Sequence, residues 1–450
     1  MSTDAGSDDH VVVVGGGIAG LAAAHALLTS PRPPRVTLIE ADDRVGGKIR
    51  TSPFAGADAV DEGADAFLAR VPWATQLARE VGIGDELVSP ASGAASVWWD
   101  ELRPIPQGLL LGMPTDVVAL ARSPLLSWRA KARAAMEPFL PRTDISGDSI
   151  GAYVRTRFGD QVHERLVDPL VGSIYAADTD RFSLTAVPQI AELAARHRSV
   201  LIAARRRPPA PDGPVFFAPR RGLAQLAQAT ASAVDAAGGV VRLGRPVESL
   251  VTDGVSWRVD GEHADAVILA CPAAAAGRLL RDDGLSAITY ADVAIVTVAI
   301  DARDWPERLR GQSGYLVPKP VQQLVTAASF GSQKWPHWGQ GTTVVLRISL
   351  GRDGLPVLHL DDDELLASAV REVGQHLGVQ LQPTAARITR WPRAFPQYRP
   401  NHHVLVQQLS ARLPPSLALA GASYHGIGIP ACVRSGRDAA ASILATTHAR

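Results

Sequence analysis

A glycine pattern near the N-terminus has the residue types and spacing that a dinucleotide needs. Gly15, Gly17 and Gly20 form G-x-G-x-x-G directly after the β-branched run 11–14, and a second apolar run ends on Glu40. The first glycine allows a tight turn, the second lets backbone approach a pyrophosphate, and the third lets a helix pack against the strand. A carboxylate after the second strand accepts hydrogen bonds from a ribose. The predicted contacts are Gly15, Gly16, Gly17, Ile18, Ala19, Gly20, Glu40 and Ala41.

A second glycine motif follows at once and narrows the choice of dinucleotide. Arg44, Gly46, Gly47, Lys48 and Thr51 fit R-x-G-G-[RK]-x-x-[ST], which resembles the second fingerprint of amine-oxidase-like flavoproteins. Adjacent glycines let the loop lie along the cofactor, and the two cationic side chains can neutralise its phosphates. This motif favours FAD over NAD.

The elements that must position these motifs are spread along the chain. Buried-strand patterns at 11–14, 36–39, 266–270 and 417–422 alternate with helical patterns at 21–28, 222–236 and 436–444, which is typical of a parallel sheet. Residues 103–200 carry helical periodicity and many prolines, whereas 285–410 suit an antiparallel sheet covered by a helix at 361–377. We therefore expect an α/β fold (α+β overall) of the p-hydroxybenzoate hydroxylase/amine oxidase type. Its parts would be a Rossmann-like FAD-binding domain (9–71, 213–277 and 413–450), a substrate-binding domain (72–102, 201–212 and 278–412) and a helical insertion (103–200).

Composition excludes several classes of protein. The 450 residues hold 45 Lys and Arg against 45 Asp and Glu, which argues against a nucleic-acid-binding chain. With 46% hydrophobic and 20% charged residues, the chain is also not disordered. Two cysteines, Cys271 and Cys432, cannot make a disulfide framework or a zinc site, and no metal is expected. The polar N-terminus has no signal-peptide pattern and no run is long enough to span a membrane, so a cytoplasmic protein is expected.

Two segments of the sequence admit more than one interpretation. The leucine clusters at 109–111 and 125–126 suit core packing of the insertion, which we favour, but peripheral contact with a membrane surface stays open. The run 205–211, with three Arg and three Pro, suits a linker with a solvated charge run. Only four of the 45 basic residues are Lys, which coding bias explains more simply than a need for carboxylate-binding guanidinium groups.

The chain resembles the FAD-dependent protoporphyrinogen/coproporphyrinogen III oxidases over nearly its whole length. The resemblance rests on five motifs outside the dinucleotide pattern, at residues 61–68 (DEGADAFL), 104–115 (PIPQG…GMPT), 169–178 (PLVGSIYAAD), 396–402 (PQYRPNH) and 426–436 (GIGIPACVRSG). Two positions depart from the family pattern. Ala177 stands where the family often has Gly, and Asn401 replaces a Gly that shapes a turn.

The resemblance implies an activity and the residues that serve it. It implies oxygen-dependent, six-electron oxidation of coproporphyrinogen III to coproporphyrin III by hydride transfer to FAD, with hydrogen peroxide as by-product, in haem biosynthesis. Molecular oxygen and ferrochelatase, the next haem-pathway enzyme, are the implied partners besides the porphyrinogen. Asp65 is the candidate catalytic group, and Arg70, Tyr175 and His402 are candidate substrate contacts. Further cofactor contacts implied in this way are Gly63, Ala64, Asp65, Val247, Trp391, Gly421, Gly428 and Ile429.

Alternatives remain open at this point. Protoporphyrinogen IX is the alternative substrate, but an Arg-rich, Lys-poor chain without a targeting pattern resembles the bacterial enzymes that act on the tetracarboxylate. A flavin amine oxidase on the same fold is less favoured, because those enzymes use a Lys near the flavin. With Lys48 assigned to phosphate, we find no convincing flavin-facing context for Lys131, Lys319 or Lys334. A flavin-bound carrier without catalysis is disfavoured because the cofactor motifs are intact.

Overall fold

A five-stranded parallel sheet forms the centre of the first part of the molecule. The computed structural model describes residues 9–206, 213–339 and 341–447. The strands lie in the order Val240–Arg242, Arg35–Ile39, His10–Val14, Ala266–Leu269 and Leu417–Leu419. These strands come from three segments that are distant in sequence, at residues 10–39, 240–269 and 417–419, so the sheet forms only when all three are brought together.

Both faces of this sheet are buried, as its continuous apolar strands predict. Val11 and Val13 pack with the helices Ile18–Leu28, Ala224–Ala236 and Ile429–Thr447. Val12 and Val14 face the opposite side, where a three-stranded sheet and a helix pair cover them. Successive side chains of a strand point to opposite faces, so one valine run serves two cores.

A seven-stranded, mainly antiparallel sheet forms the second part. Its order is Ala385–Pro396, Tyr290–Asp301, Thr343–Leu350, Val325–Ser329, Gly314–Leu316, Ala95–Trp98 and Leu102–Pro104. Only the pairing of Gly314–Leu316 with Ala95–Trp98 is parallel within it. The helix Asp362–Leu377 covers one face and starts with a capping box between Asp361 and Glu364. The predicted antiparallel sheet with its covering helix is therefore present.

The segment that we predicted as a helical insertion is mostly helical. Its helices are Val117–Arg122, Trp128–Ala135, Ile150–Phe158, Asp160–Val162, the π-helix His163–Gly172, Ser173–Tyr175, Pro188–Arg196 and, just beyond it, Val200–Arg205. Leu125 and Leu126 are buried in a core of their own, and the leucines at 109–111 pack against it. Core packing therefore accounts for both leucine clusters. Across the described ranges, no helix is both long and apolar enough to cross a membrane.

Shorter elements complete the chain. The remaining strands are Thr51–Phe54, Ala57–Asp61, Phe67–Leu68, Leu87–Val88, Leu109–Leu110, Met113–Pro114, Phe216–Pro219, Leu250–Thr252, Trp257–Val259 and Glu262–Ala264. The remaining α-helices are Pro72–Glu80, Ala273–Leu280, Asp283–Ser286, Gly331–Lys334 and His402–Arg412. Short 3₁₀ turns lie at Gly84–Glu86, Glu137–Phe139, Thr179–Arg181, Ala302–Asp304, Glu307–Leu309, Lys319–Val321 and Pro336–Trp338.

The structure corrects the predicted start of the last helix. The last helix begins at Ile429 rather than at Gly436, so the prediction placed its start seven residues too late. The small residues before Gly436 hid this start, because glycine and proline weaken a helical pattern. Most of the predicted linker 205–211 lies outside the described residues, and the boundaries of the three predicted domains stay a prediction.

Candidate functional site

The first glycine turn lies at the carboxyl edge of the parallel sheet. Gly15 has φ +112°, a conformation that favours glycine, and a Cβ on Gly20 would overlap the carbonyl oxygen of Gly15. Gly17 precedes the first residue of the helix Ile18–Leu28, and a Cβ placed there meets no protein atom within 4 Å. The turn therefore leaves open space in front of a helix N-terminus, where a phosphate can bind backbone N–H groups.

The second glycine turn packs directly against the first. The N–H of Gly46 donates to Gly16 O at 2.8 Å, and a Cβ on Gly47 would come within 3.3 Å of Gly17 Cα. Both turn glycines have positive φ, +102° and +56°. The guanidinium of Arg44 donates to Gly47 O at 2.7 Å and to Ile49 O at 3.0 Å, so it braces this turn from within.

Glu40 packs against the glycine turn. Its carboxylate accepts hydrogen bonds from Gly16 N at 2.5 Å and from Asp42 N at 2.9 Å. The backbone N–H of Arg245 donates to Glu40 O, which brings the segment leading to Val247 alongside. Glu40 is thereby joined to the glycine turn and to the segment before Val247, and the predicted contacts of Glu40, Ala41 and Val247 with the ribose and adenine stay a prediction.

Lys48 is accessible to solvent but surrounded by protein. Its Nζ donates to Ala394 O at 2.7 Å and lies 5.3 Å from the centre of the Tyr290 ring. Burial lowers the pKa of Lys48 to about 8, although Cys432 opposes the shift and Arg393 adds to it. The ammonium therefore contacts the strand Ala385–Pro396 here, and its predicted contact with phosphate stays a prediction.

The C-terminal helix brings a third backbone segment to the same edge. Gly421, with φ +115°, follows the last parallel strand, and its N–H donates to Ser435 Oγ at 3.0 Å. Gly428 accepts the first helical hydrogen bond from Cys432 N, so Gly428 and Ile429 stand at the helix N-terminus. A Cβ on Gly436 would overlap the Ala19 carbonyl, which explains the close packing of this helix on Ile18–Leu28.

The segment Glu62 to Asp65 is held from the antiparallel sheet. Trp391 Nε1 donates to Glu62 O at 2.9 Å, and a Cβ on Gly63 would lie 3.5 Å from the Trp391 ring. The Arg347 guanidinium donates to the carbonyl oxygen of Gly63. Ala64, between these anchors, is exposed. Since side chains of the antiparallel sheet hold the carbonyl oxygens of Glu62 and Gly63, the backbone of this stretch has a defined conformation.

Asp65 lies in a cationic cluster beneath this segment. Its carboxylate accepts two hydrogen bonds from Lys334 Nζ, both at 2.9 Å, and one from Trp335 Nε1 at 3.2 Å. Arg347 Nη1 lies 3.3 Å away. Burial opposes ionisation of Asp65, but the charges of Lys334 and Arg347 outweigh it and lower the pKa to about 2. Asp65 is therefore an anchored anion rather than a proton acceptor near neutral pH.

Sequence reasoning missed two members of this cluster, Lys334 and Arg347. We found no convincing flavin-facing context for Lys334, but the structure places its ammonium on the segment predicted to run beside the flavin. Lys334 lies on the short helix Gly331–Lys334 and Arg347 on the strand Thr343–Leu350. Both are more than 260 residues from Asp65. The buried Arg inside an apolar strand was the one available signal.

Asp61, four residues before Asp65, has an opposite environment. It is almost fully buried and accepts hydrogen bonds from Thr51 Oγ1 at 2.5 Å and from Leu223 N at 2.9 Å. Burial raises the pKa of Asp61 to about 6 despite these bonds. It joins the hairpin Thr51–Asp61 to the start of the helix Ala224–Ala236.

The three candidate substrate contacts lie in different settings. Arg70 is exposed and has no recorded ion pair or hydrogen bond within the described residues. Tyr175 is partly buried and packs on Phe182 with ring centres 5.0 Å apart. His402 is buried at 6% exposure, its Nε2 lies 3.0 Å from Ser423 O, and it stacks on Tyr398. Their contact with substrate stays a prediction in each case.

Comparison with known proteins supplies the family. Residues 18–444 match the model of the flavin containing amine oxidoreductases. Coproporphyrinogen III oxidase of Mycobacterium tuberculosis is 34% identical, with 97% of this chain and 98% of the relative covered. The enzyme of the same name from Bacillus subtilis is 30% identical over the same shares. A crystal structure from Exiguobacterium sp. 255-15, assigned as a protoporphyrinogen oxidase, has a TM-score of 0.87 at 28% identity and covers 99% of this chain and 100% of its own.

The site fits the cofactor that this family contains. The open space at Gly17 is a cradle that a side chain would fill, and two further backbone segments converge on it. In the described part of the chain, no group of three or more metal-ligating side chains occurs. The chain belongs to the flavin-containing amine oxidoreductase family, it is an oxidoreductase, and FAD is its cofactor.

Proposed function

We propose that this flavoprotein oxidises coproporphyrinogen III to coproporphyrin III in haem biosynthesis. The observation that carries the proposal is identity of 30% and 34%, over nearly full length, to two enzymes named coproporphyrinogen III oxidase. Two of the five family motifs supply proposed cofactor contacts, the first through Glu62 to Asp65 and the last through the N-terminus of the final helix. The overall change is coproporphyrinogen III plus three O₂ to coproporphyrin III plus three H₂O₂.

FAD supplies a two-electron acceptor that oxygen can reoxidise, so three cycles account for the six electrons. The protein's part is to bind and orient. The turns at Gly15–Gly20 and Gly46–Gly47 would hold the pyrophosphate, Glu40 would hold the ribose, and Val247 would contact the adenine. The segment Glu62 to Asp65 and Trp391 would contact the flavin ring. Gly421, Gly428 and Ile429 complete the site.

Asp65 acts in this proposal by holding the flavin-side segment in place. With a pKa of about 2, it stays ionised and paired, so it does not take up a proton from the substrate at neutral pH. The pyrrole N–H groups of a porphyrinogen can release protons as the ring tautomerises. Chemistry of this kind needs position and exclusion of water more than a strong base.

Arg70 is our candidate for a substrate carboxylate, because its exposed guanidinium has no recorded partner in the described ranges. Tyr175 is the candidate for contact with the macrocycle. Coproporphyrinogen III carries four propionates and protoporphyrinogen IX carries two. A guanidinium without a protein partner, such as that of Arg70, therefore favours the substrate with more carboxylates. Protoporphyrinogen IX stays the alternative. Lys334 on the segment at Asp65 removes one argument against a flavin amine oxidase, but that function is still less favoured because the relatives at 30% and 34% identity are named coproporphyrinogen III oxidase.

The surroundings of the reaction are also proposals. Molecular oxygen is the electron acceptor, the cytoplasm is the compartment, and ferrochelatase is the enzyme that would receive the product. Peripheral membrane contact would then fall on the helical insertion, where Trp128 and Phe139 are 73% and 83% exposed.

A steady-state comparison of the two porphyrinogens tests the substrate. Purified protein under air is given each porphyrinogen, and porphyrin fluorescence and peroxide are followed together. We expect a higher kcat/KM for coproporphyrinogen III and three peroxides per porphyrin. Faster oxidation of protoporphyrinogen IX would overturn the substrate, and no oxidation of either would overturn the function. Arg70→Met should raise the KM for coproporphyrinogen III about tenfold with little change in kcat.

A further inference from the structure

The loop from Gly421 to Gly428 has little regular structure of its own. It joins the last parallel strand to the last helix, and Gly421 and Gly426 have φ of +115° and +125°. Residues that end it, Gly428 and Ile429, are proposed cofactor contacts. A loop of this kind keeps one conformation only where side chains from elsewhere satisfy its backbone groups.

Tyr398 satisfies two of these groups at once. Its Oη donates to Ala422 O at 2.5 Å and accepts from Gly426 N at 2.9 Å. The hydroxyl thus bridges the two ends of a five-residue turn. Tyr398 is buried at 4% exposure, so water does not compete for these bonds.

The side chains of His402 and Tyr290 contact Ser423, which lies between Ala422 and Gly426. His402 Nε2 lies 3.0 Å from Ser423 O, and Tyr290 Oη lies 2.7 Å from Ser423 Oγ. Burial lowers the pKa of His402 to about 4, so the ring is neutral at pH 7 and donates this bond from Nε2. The His402 and Tyr398 rings stack at 4.0 Å with an interplanar angle of 9°. The stacked rings of Tyr398 and His402 therefore together hydrogen-bond to Ala422, Ser423 and Gly426 of the turn.

The backbone that carries this pair is itself fixed. Tyr398 O accepts from Ser183 N at 2.7 Å, and Asn401 N donates to Asp148 Oδ2 at 2.7 Å. Asn401 has φ +65°, the left-handed conformation that Asn tolerates better than most residues, so the turn forms without the glycine of the family pattern.

We propose that Tyr398 is a positioning residue for the cofactor, acting through the loop at Gly421–Gly428. Together with His402, it holds the loop so that Gly428 and Ile429 present the helix N-terminus to FAD. The inference rests on the proposed placement of these two residues at the cofactor. It gives the motif at 396–402 a role that does not require contact with substrate.

Tyr398→Phe tests the inference because it removes both hydrogen bonds and keeps the ring. The matched control is Tyr424→Phe, since Tyr424 lies in the same loop at 3% exposure and its hydroxyl has no recorded partner in the described chain. We expect the Kd for FAD to rise about tenfold to hundredfold in Tyr398→Phe and to stay within twofold in Tyr424→Phe. The rise in Tm that saturating FAD causes should shrink in the first variant alone.

The outcomes separate positioning from a general structural role. Equal losses of Tm in the apo and FAD-bound forms, with an unchanged Kd, would overturn the inference. If Tyr398→Phe does not fold, Tyr290→Phe removes the contact with Ser423 from the other side and should raise the Kd in the same direction. Gly428→Val tests separately whether Gly428 lies at the cofactor. Normal FAD binding by that variant would overturn the placement, whereas loss of FAD there with a normal Tyr398→Phe would overturn only the role of Tyr398.

Discussion

The glycine turn at Gly15–Gly20 and the segment Glu62 to Asp65, which we both propose to contact FAD, are shaped by different means. The turn is built from residues close in sequence, and its shape follows from missing side chains at Gly15, Gly17 and Gly20. The segment is shaped by side chains more than 260 positions away, from Lys334, Arg347 and Trp391. One region needs local backbone freedom, while the other needs the second sheet to be in place.

This difference implies different responses to substitution. A side chain at Gly17 should remove the cofactor and leave the fold, because a Cβ there meets open space, whereas one at Gly15 or Gly20 would overlap protein backbone. Changes around Asp65 should cost folding free energy first, because they leave a buried charge without its partner. Variants of the two regions can therefore be told apart by whether colour or stability is lost.

The largest effect is expected for Gly17→Val. The new side chain would meet no protein atom at its Cβ but would occupy the space for the pyrophosphate. We expect a folded, colourless protein, with the absorbance ratio of flavin to protein falling to near zero. Gly93→Val is the control, because a Cβ at Gly93 also meets nothing within 4 Å and no ligand is proposed there. Full flavin retention in Gly17→Val would show that the dinucleotide lies elsewhere.

A smaller but still large effect is expected for Asp65→Asn. The neutral side chain leaves Lys334 and Arg347 close together without their anion. We expect the free energy of unfolding to fall by about 3 kcal/mol at pH 7, measured by urea denaturation of the apoprotein. Asp58→Asn, at an exposed position with no side-chain hydrogen bond or ion pair within the described residues, should leave it unchanged. An equally stable Asp65→Asn protein would mean that the cluster does not hold this segment.

The pH dependence of the same anion gives an independent check. The pKa of Asp65 falls from its ordinary 3.8 to about 2 on folding, so its contribution to stability is present above pH 4 and is lost as pH falls through about 2. The full contribution is about 2 kcal/mol. In Asp65→Asn, this part of the acid transition should disappear from the curve of unfolding free energy against pH.

The smallest effect is expected at Asp61. Its pKa is raised to about 6, so its favourable contribution is present below pH 4 and is lost as pH rises through about 6. Asp61→Asn keeps an acceptor for Thr51 and Leu223, and it should change the unfolding free energy by less than about 1 kcal/mol at pH 3, where the parent carboxyl is mostly protonated in both the folded and the unfolded state. Above pH 6, the variant should be the more stable protein. A variant less stable than the parent at pH 8 would contradict the raised pKa.

Features that depend on residues close in sequence could be predicted, whereas contacts between distant residues could not. The glycine motifs, Glu40, the parallel strands and the covering helix at 362–377 were predictable, because each depends on residues within about one turn or strand. Lys334 and Arg347 were not, because only the pairing of distant strands brings them to Asp65. The start of the last helix at Ile429 was also missed, because its glycines and proline mask the helical pattern.

Asn401 marks an intermediate case. The sequence identified a departure from the family pattern, and the structure accommodates it with φ +65° and a hydrogen bond to Asp148. The tolerance of Asn for this backbone conformation could be predicted from the residue type, whereas its hydrogen bond to Asp148, 253 residues away, could not.

Reduction of the bound flavin by its substrate tests the central claim most directly. Coproporphyrinogen III is mixed with the yellow protein without oxygen, and absorbance of the oxidised flavin is followed in a stopped-flow instrument. We expect rapid bleaching, followed on admission of air by recovery of the yellow colour and formation of peroxide. A flavin that stays oxidised with either porphyrinogen, but is bleached by a primary amine, would contradict this claim.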